Sequence, residues 1–363
     1  MSVRPIAAAD AIARLAEFDT VVDARSENEF AEDHLPQAVN WPSLNNAERH
    51  EVGTMYKQVS PFDARKLGAR LVATNIARHI EHEVMDKPKG WKPLVYCWRG
   101  GQRSRALAHV LNEVGWRAMQ LDGGYRAYRR HVVGQLETHP SRFRFVVLCG
   151  LTGSGKSRLL AALAAAGAQT LDLEAMARHR GSLLGEFPGV AQPSQKAFET
   201  SIAAALDALD ASRVVYVESE SKRIGRLQLP ETLLACMRRG TSLTLVTSLS
   251  HRVALIKDDY GLAVDSPAAL ARRLQPLAPL VGKTALKRWE LLAAQQDWDA
   301  LIGELLSLHY DPLYTRSLQR HFSAGAAGPG ETIEVADTSA AAIAALAARV
   351  LASTESRSLS MVD

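Results

Sequence analysis

FRFVVLCGLTGSGKS (143–157) decides how this chain is read. Residues 143–149 form a mostly apolar, β-branched run, the signature of a buried strand. Residues 150–157 match G-x-x-x-x-G-K-[ST] in full, and the segment after them has helical periodicity to about Ala166. Strand, glycine-rich turn and helix in that order make a phosphate cradle. Gly150, Gly153 and Gly155 let the backbone turn so that its N–H groups, with Ser154 among them, point inward. The helix N-terminus adds partial positive charge. Lys156 neutralises terminal phosphates, and Ser157 can ligate Mg²⁺. A chance glycine-rich turn is the plain alternative, and the flanking elements argue against it.

Downstream, strands are predicted at 170–173, 214–218, 242–247 and 332–337, with helices between them, notably 194–210 and 287–308. This alternation indicates an α/β unit with a mainly parallel sheet and C-terminal helical elements. The Ala-rich stretches 161–168 and 340–352 read as packing helices, 324–330 as a flexible loop and the tail 356–363 as frayed. A second phosphate-site acid should end a neighbouring strand. Asp172 and Glu218 are the candidates, with Glu220 behind, and each could equally be a surface acid. No Asp base for a hydroxyl substrate stands out. The cradle therefore indicates a di- or triphosphate more firmly than it indicates a kinase.

Upstream, 20–24 and 91–97 read as strands, and 64–82 and 103–114 as helices, a second parallel α/β unit. The boundary falls between about Arg130 and Ser141, giving domains 1–135 and 136–363. At 363 residues with 47% hydrophobic and 23% charged residues, two soluble domains are expected. Three scattered cysteines make no disulfide framework, and a reducing cytoplasm fits them. No secretory leader or membrane span is expected. The net charge is only +4, but nine arginines face three acids between 99 and 144. A solvated basic face explains part of this, and a surface for nucleic-acid phosphates is the sharper reading.

YCWRGGQRS (96–104) sets Cys97 at a strand end, before two glycines and a helix. Backbone N–H groups, the helix N-terminus, Arg99 and Arg103 favour an exposed, reactive thiolate there. Trp98, Gly100, Gly101 and Gln102 complete an oxyanion loop. Here the sequence resembles the rhodanese family, whose N-terminal signature is similar to VVDARSENEFAEDHLPQAVNWP (21–42). Asp23, Arg25, Glu29 and His34 stand at matching places, where the resemblance implies structural roles. It also implies that the C-x5-R loop is one residue longer than in thiosulfate-type rhodaneses and equal to that of dual-specificity phosphatases. Chalcogen transfer and phosphate-ester cleavage both remain open on the loop alone.

The pairing of the two units resembles the tRNA 2-selenouridine synthases over nearly the whole chain. The resemblance rests on YCWRGGQRS, LDGGYRAYRRHV (121–132), GLTGSGKS, DLEAMARHRGSLLG (172–185), VYVESESKRIG (215–225) and LHYDPLY (308–314). It implies a selenotransferase acting on 2-thiouridine at the wobble position of tRNAs for Lys, Glu and Gln. The sulfur is first geranylated by geranyl diphosphate; selenium from selenophosphate then replaces the S-geranyl group, carried by Cys97 as Cys–S–SeH. The cradle would hold the diphosphate. No tightly bound cofactor is implied, and Mg²⁺ is a candidate ion. The anticodon stem-loop would be the partner, with transient contact to a selenophosphate supplier.

Tyr125, Tyr128, Arg129 and Arg130 could stack on bases or contact phosphates, or could pack the domain. His179 and Arg180, followed by Gly181 and Ser182, are candidate substrate contacts, with capping as the alternative. His309, Tyr310 and Asp311 precede Pro312, so a helix stop is their plain reading. Two other functions compete. One is a P-loop kinase carrying a phosphatase or regulatory rhodanese-like domain. The other is a non-catalytic RNA-binding adaptor, against which an exposed thiolate argues.

Overall fold

The computed structural model describes residues 3–182, 184–260, 267–321 and 330–360. The chain divides into two units: Met1–Leu136 with Pro193–Ala204, and Glu137–Gln192 with Ala205–Asp363. The sequence reading placed one boundary and did not separate the 193–204 segment from the second domain. The helix Gln195–Ala208 begins in that segment.

The first unit is built on β1 (Arg4–Ile6), β2 (Thr20–Asp23), β3 (Ala38–Asn40), β4 (Pro93–Tyr96) and β5 (Met119–Leu121), in the order β1-β5-β4-β2-β3. Every pairing is parallel. β4 is central and wholly buried, so its four apolar residues carry no alternation. It delivers Cys97 to the end of the sheet, and the helix Gln102–Val114 starts directly beyond the loop. Helix Glu27–Glu32 is fixed by a capping box, in which the Glu29 side chain reaches back to the Ser26 backbone.

Beneath the sheet end lies a buried charge network. Arg25 and Asp23 are both fully buried. The Arg25 fork donates to Asp23 from Nε at 3.0 Å and from Nη2 at 2.6 Å, and also to the Asp33 carbonyl at 2.6 Å. Its guanidinium lies 4.0 Å from the centre of the Tyr125 ring, and the Tyr125 hydroxyl donates to Asp33 at 2.7 Å. Arg25→Ala leaves a buried Asp23 without its partner. We expect a loss of about 3–5 kcal/mol, read as a lower urea midpoint of the unit. A shift no larger than that of an exposed arginine would show the pair to be dispensable.

The second unit holds β6 (Arg144–Cys149), β7 (Gln169–Leu171), β8 (Val214–Glu218), a two-stranded hairpin of β9 (Arg223–Ile224) and β10 (Leu227–Gln228), β11 (Thr241–Thr247) and β12 (Glu331–Val335). The main sheet runs β12-β11-β6-β8-β7, all parallel. β6 is the middle strand. The 150–157 loop therefore emerges between the ends of β11 and β8, the crevice where open parallel sheets bind ligands. Leu148 pairs with Glu218, which puts that acid level with the start of the loop.

Three expectations change. The helix expected over 287–308 is two helices, Ala278–Ala294 and Trp298–Leu305, because Gln296 turns left-handed and Asp297 caps the second. Pro312 does not stop a helix. A π-type turn at Leu306–Tyr310 runs into the helix Asp311–His321, whose first turn tolerates proline. The tail is helical through Ser360 rather than frayed, since the final helix spans Ala340–Ser360. Of the 324–330 loop, residues 324–329 lie outside the described residues. Among the described residues no helix is long and apolar enough to cross a membrane.

Candidate functional site

In the first unit the carbonyls of the cysteine loop are turned outward. Those of Cys97 and Trp98 accept from the amides of Tyr125 and Arg126 at 2.8 and 3.1 Å. Those of Gly100 and Gly101 accept from Gln120 Nε2 at 2.8 and 3.2 Å. In a trans peptide the N–H opposes the C=O, so the amides of residues 98, 99, 101 and 102 point away from those partners, as an anion cradle requires. Gly100 sits at φ 65°, and a Cβ there would lie 2.7 Å from the Leu121 carbonyl. Gln120, which the sequence reading missed, organises the loop from β5 and also donates to Ser104 Oγ at 2.9 Å.

Several expectations need correction. Cys97 is buried, at 3% exposure, rather than exposed, and its Sγ accepts from Ser104 Oγ at 3.1 Å. Arg103 does not project free charge into the loop: it pairs with Glu29 at 2.8 Å. Gln102 is exposed and opens the helix, and Arg99 is exposed. Tyr125 and Tyr128 are buried, so neither offers a ring to a base. Tyr125 instead stacks under Trp98, ring centres 5.4 Å apart. Arg129 is paired with Glu199. Arg126 and Arg130, one turn apart on the helix Gly124–Thr138, are exposed.

In the second unit a cavity of about 840 Å³ opens on the 152–158 loop. The loop glycines are needed. At Gly150, φ is 145° and a Cβ would lie 2.7 Å from the Leu245 carbonyl; at Gly153, φ is 77° and a Cβ would press on Ile256. Lys156 Nζ donates to the carbonyls of Gly150 and Leu151 at 2.8 and 3.2 Å and lies 5.1 Å from the Tyr314 ring centre. Tyr314 in turn hydrogen-bonds Ser219. Ser157 hydrogen-bonds Glu218, which is buried and keeps a second oxygen, Oε1, without a partner. A hydroxyl beside a buried, half-satisfied carboxylate fits a hard divalent cation.

The acids divide in a way the sequence did not reveal. Glu174, Glu218 and Glu220 bring carboxylate oxygens within 4.8 Å of one another. Asp172 lines the cavity but serves as the N-cap of the helix Leu173–Ala177, accepting from the Ala175 amide at 2.8 Å. Glu174 was missed because it sits inside a short helix rather than at a strand end. Burial, then Glu218, pushes the Glu174 carboxyl up to about 8. Burial raises Glu218, and burial with its two neighbours holds Glu220 well above the carboxylate range. Lys156 is lowered by burial, but the Tyr314 ring and the three glutamates outweigh this and raise it. Arg180 lines the cavity, lies over the Phe187 ring at 4.4 Å and donates to the Asp259 carbonyl at 2.7 Å. His179 is buried and does not line the cavity, whereas Arg180, Gly181 and Ser182 do.

The glutamate cluster makes stability pH-dependent. Raised carboxyls bind protons in the folded chain that the unfolded chain releases above pH 4.5, so stability falls as pH rises toward about 8. In EDTA, Glu174→Gln should flatten that fall in the melting temperature. An unchanged slope would assign the dependence elsewhere.

The cavity also has apolar lining, from Ile256, Pro276, Leu277, Leu280 and Leu313, together with His309 and Tyr310. Comparison with known proteins then decides the family. Residues 7–131 match the rhodanese-like domain model, and residues 143–271 match the model of the tRNA 2-selenouridine synthase AAA domain. A tRNA 2-selenouridine synthase of Bdellovibrio bacteriovorus is 32% identical, covering 83% of this chain and 89% of that protein. The enzyme of that name from Nitrosomonas europaea is 33% identical, covering 79% and 75%. This chain belongs to the tRNA 2-selenouridine synthase family. A synthase of Marinobacter nauticus is 38% identical over 66% of this chain and 65% of its own length. As a member of the tRNA 2-selenouridine synthases, the chain carries a cysteine loop in its first unit and a phosphate cavity in its second.

Proposed function

We propose that the chain converts 2-thiouridine to 2-selenouridine at the wobble position of tRNAs for Lys, Glu and Gln, by S-geranylation followed by selenium exchange. The observation that carries this reading is a single cavity lined by both a phosphate cradle and apolar side chains. A prenyl diphosphate has that same division between a charged head and a hydrocarbon tail. The base sulfur attacks C1 of geranyl diphosphate; a C–S bond forms and the C–O pair leaves with diphosphate. Lys156 and the loop amides stabilise the departing charge. A divalent cation, held by Ser157 and Glu218, supplies further charge neutralisation when bound.

Cys97 then opens selenophosphate within its amide cradle. Sulfur attacks phosphorus, the Se–P pair leaves with selenium as hydroselenide, and water later frees phosphate from the cysteine. Hydroselenide adds at C2 of the base and geranylthiolate leaves with the C–S pair. Transfer through Cys–S–SeH, the route the resemblance implies, sends the Se–P pair to phosphorus and so releases phosphite, and a thiol must later reduce the S–Se bond. Phosphorus NMR of the released anion separates the two. Exposed Arg99, Arg126 and Arg130 supply contacts to tRNA phosphates. The test is nucleoside mass spectrometry of tRNA from a strain lacking the gene and carrying this chain. Restored 2-selenouridine supports the reading, and its absence under an ample selenophosphate supply defeats it.

A further inference from the structure

We propose that Glu174, Glu218 and Glu220 hold a divalent cation in the phosphate cavity by themselves, before any diphosphate arrives. In an ordinary phosphate loop the ion draws on one hydroxyl and one strand-end acid of the protein and completes its shell with phosphates and water. Here three protein carboxylates offer oxygens within 4.8 Å of one another. Two ligands of one ion can be no farther apart than twice the metal–oxygen distance. That limit is about 4.2 Å for Mg²⁺ and about 4.6–5.2 Å for Ca²⁺, so the cluster suits a hard divalent ion with little or no movement.

Two independent observations point to a ligand at this spot. Glu218, at 4% exposure, keeps Oε1 unpartnered, and it is a cavity-lining residue within the cluster. A buried carboxylate oxygen is seldom left so. Charge points the same way. Lys156 is the cation that acts on all three glutamates, while Asp172 and Arg180 beside Glu174 oppose each other. With no ion bound the crowded carboxyls hold protons, and a divalent ion would take the place of those protons. Gly181, at φ 67°, lets the 180–182 backbone close against the cluster, where a Cβ would strike the Glu174 carboxylate.

The inference stands apart from the proposed reaction, because it concerns binding in the absence of tRNA and diphosphate. Mn²⁺ is titrated into the full chain, stripped with EDTA and dialysed, and followed by electron paramagnetic resonance. One tight Mn²⁺ per chain is expected with no diphosphate present. The Glu174→Gln/Glu220→Gln double variant should weaken it at least tenfold. Thermal melts check folding, and Mn²⁺ should raise the melting temperature of the parent but not of the double variant. Binding that appears only after diphosphate is added, or that the double variant leaves intact, would overturn the proposal.

Discussion

Lys156→Ala is expected to lower both S-geranyl-2-thiouridine and 2-selenouridine in tRNA by at least about 100-fold, the scale of losing a positioned charge at a departing anion. The ammonium bonds two loop carbonyls and lies among three glutamates. Removing it strips the diphosphate of its main counter-charge and leaves the carboxylates repelling that diphosphate. Lys156→Met keeps the packing stem and should fail equally, which separates charge from fold. The variant should recover 2-selenouridine when supplied with tRNA already carrying the S-geranyl group. Failure of that rescue would mean that the cradle serves the selenium step as well.

Cys97→Ser is expected to give the opposite nucleoside pattern. 2-Selenouridine should fall by about 1000-fold or more, while S-geranyl-2-thiouridine accumulates. The loop amides and the Ser104 contact accommodate a hydroxyl of similar shape, so the fold should hold. A serine hydroxyl in that cradle is not an anion near neutral pH and is a far weaker nucleophile than a thiolate. Normal 2-selenouridine in the variant would remove Cys97 from the chemistry and leave the loop as an anion-binding site.

The main architecture was legible in the sequence because both sites begin on buried parallel strands, which write themselves as unbroken apolar runs. FRFVVLC and WKPLVYC could hardly be anything else. Short edge strands such as Arg4–Ile6 and Ala38–Asn40 carry too few residues to show a period. At the sites, the sequence named residue types well and their surroundings poorly. Arg103 has the charge for an oxyanion loop and Arg129 and Tyr125 the chemistry of nucleic-acid contacts, but partners distant in sequence, Glu29, Glu199 and Asp33, occupy them. Nothing local marks such pairing. Glu174, Gln120 and Tyr314 matter only because three or more segments converge on them. For the same reason the apolar lining, drawn from residues 256, 276, 277, 280 and 313, has no motif.

One contact gives the cavity a mechanical property. Arg252, almost fully buried, donates Nε to the Thr152 carbonyl at 2.8 Å and grips Asp311 with both terminal nitrogens, at 3.0 and 2.6 Å. Thr152 belongs to the phosphate loop, and Asp311 begins the helix that carries Leu313 and Tyr314. The guanidinium is thus a crossbeam between the phosphate loop and the helix that carries Leu313 and Tyr314. A loop that moves must pull on that beam, so on the reading proposed above a diphosphate head and its tail would be gripped in one stroke.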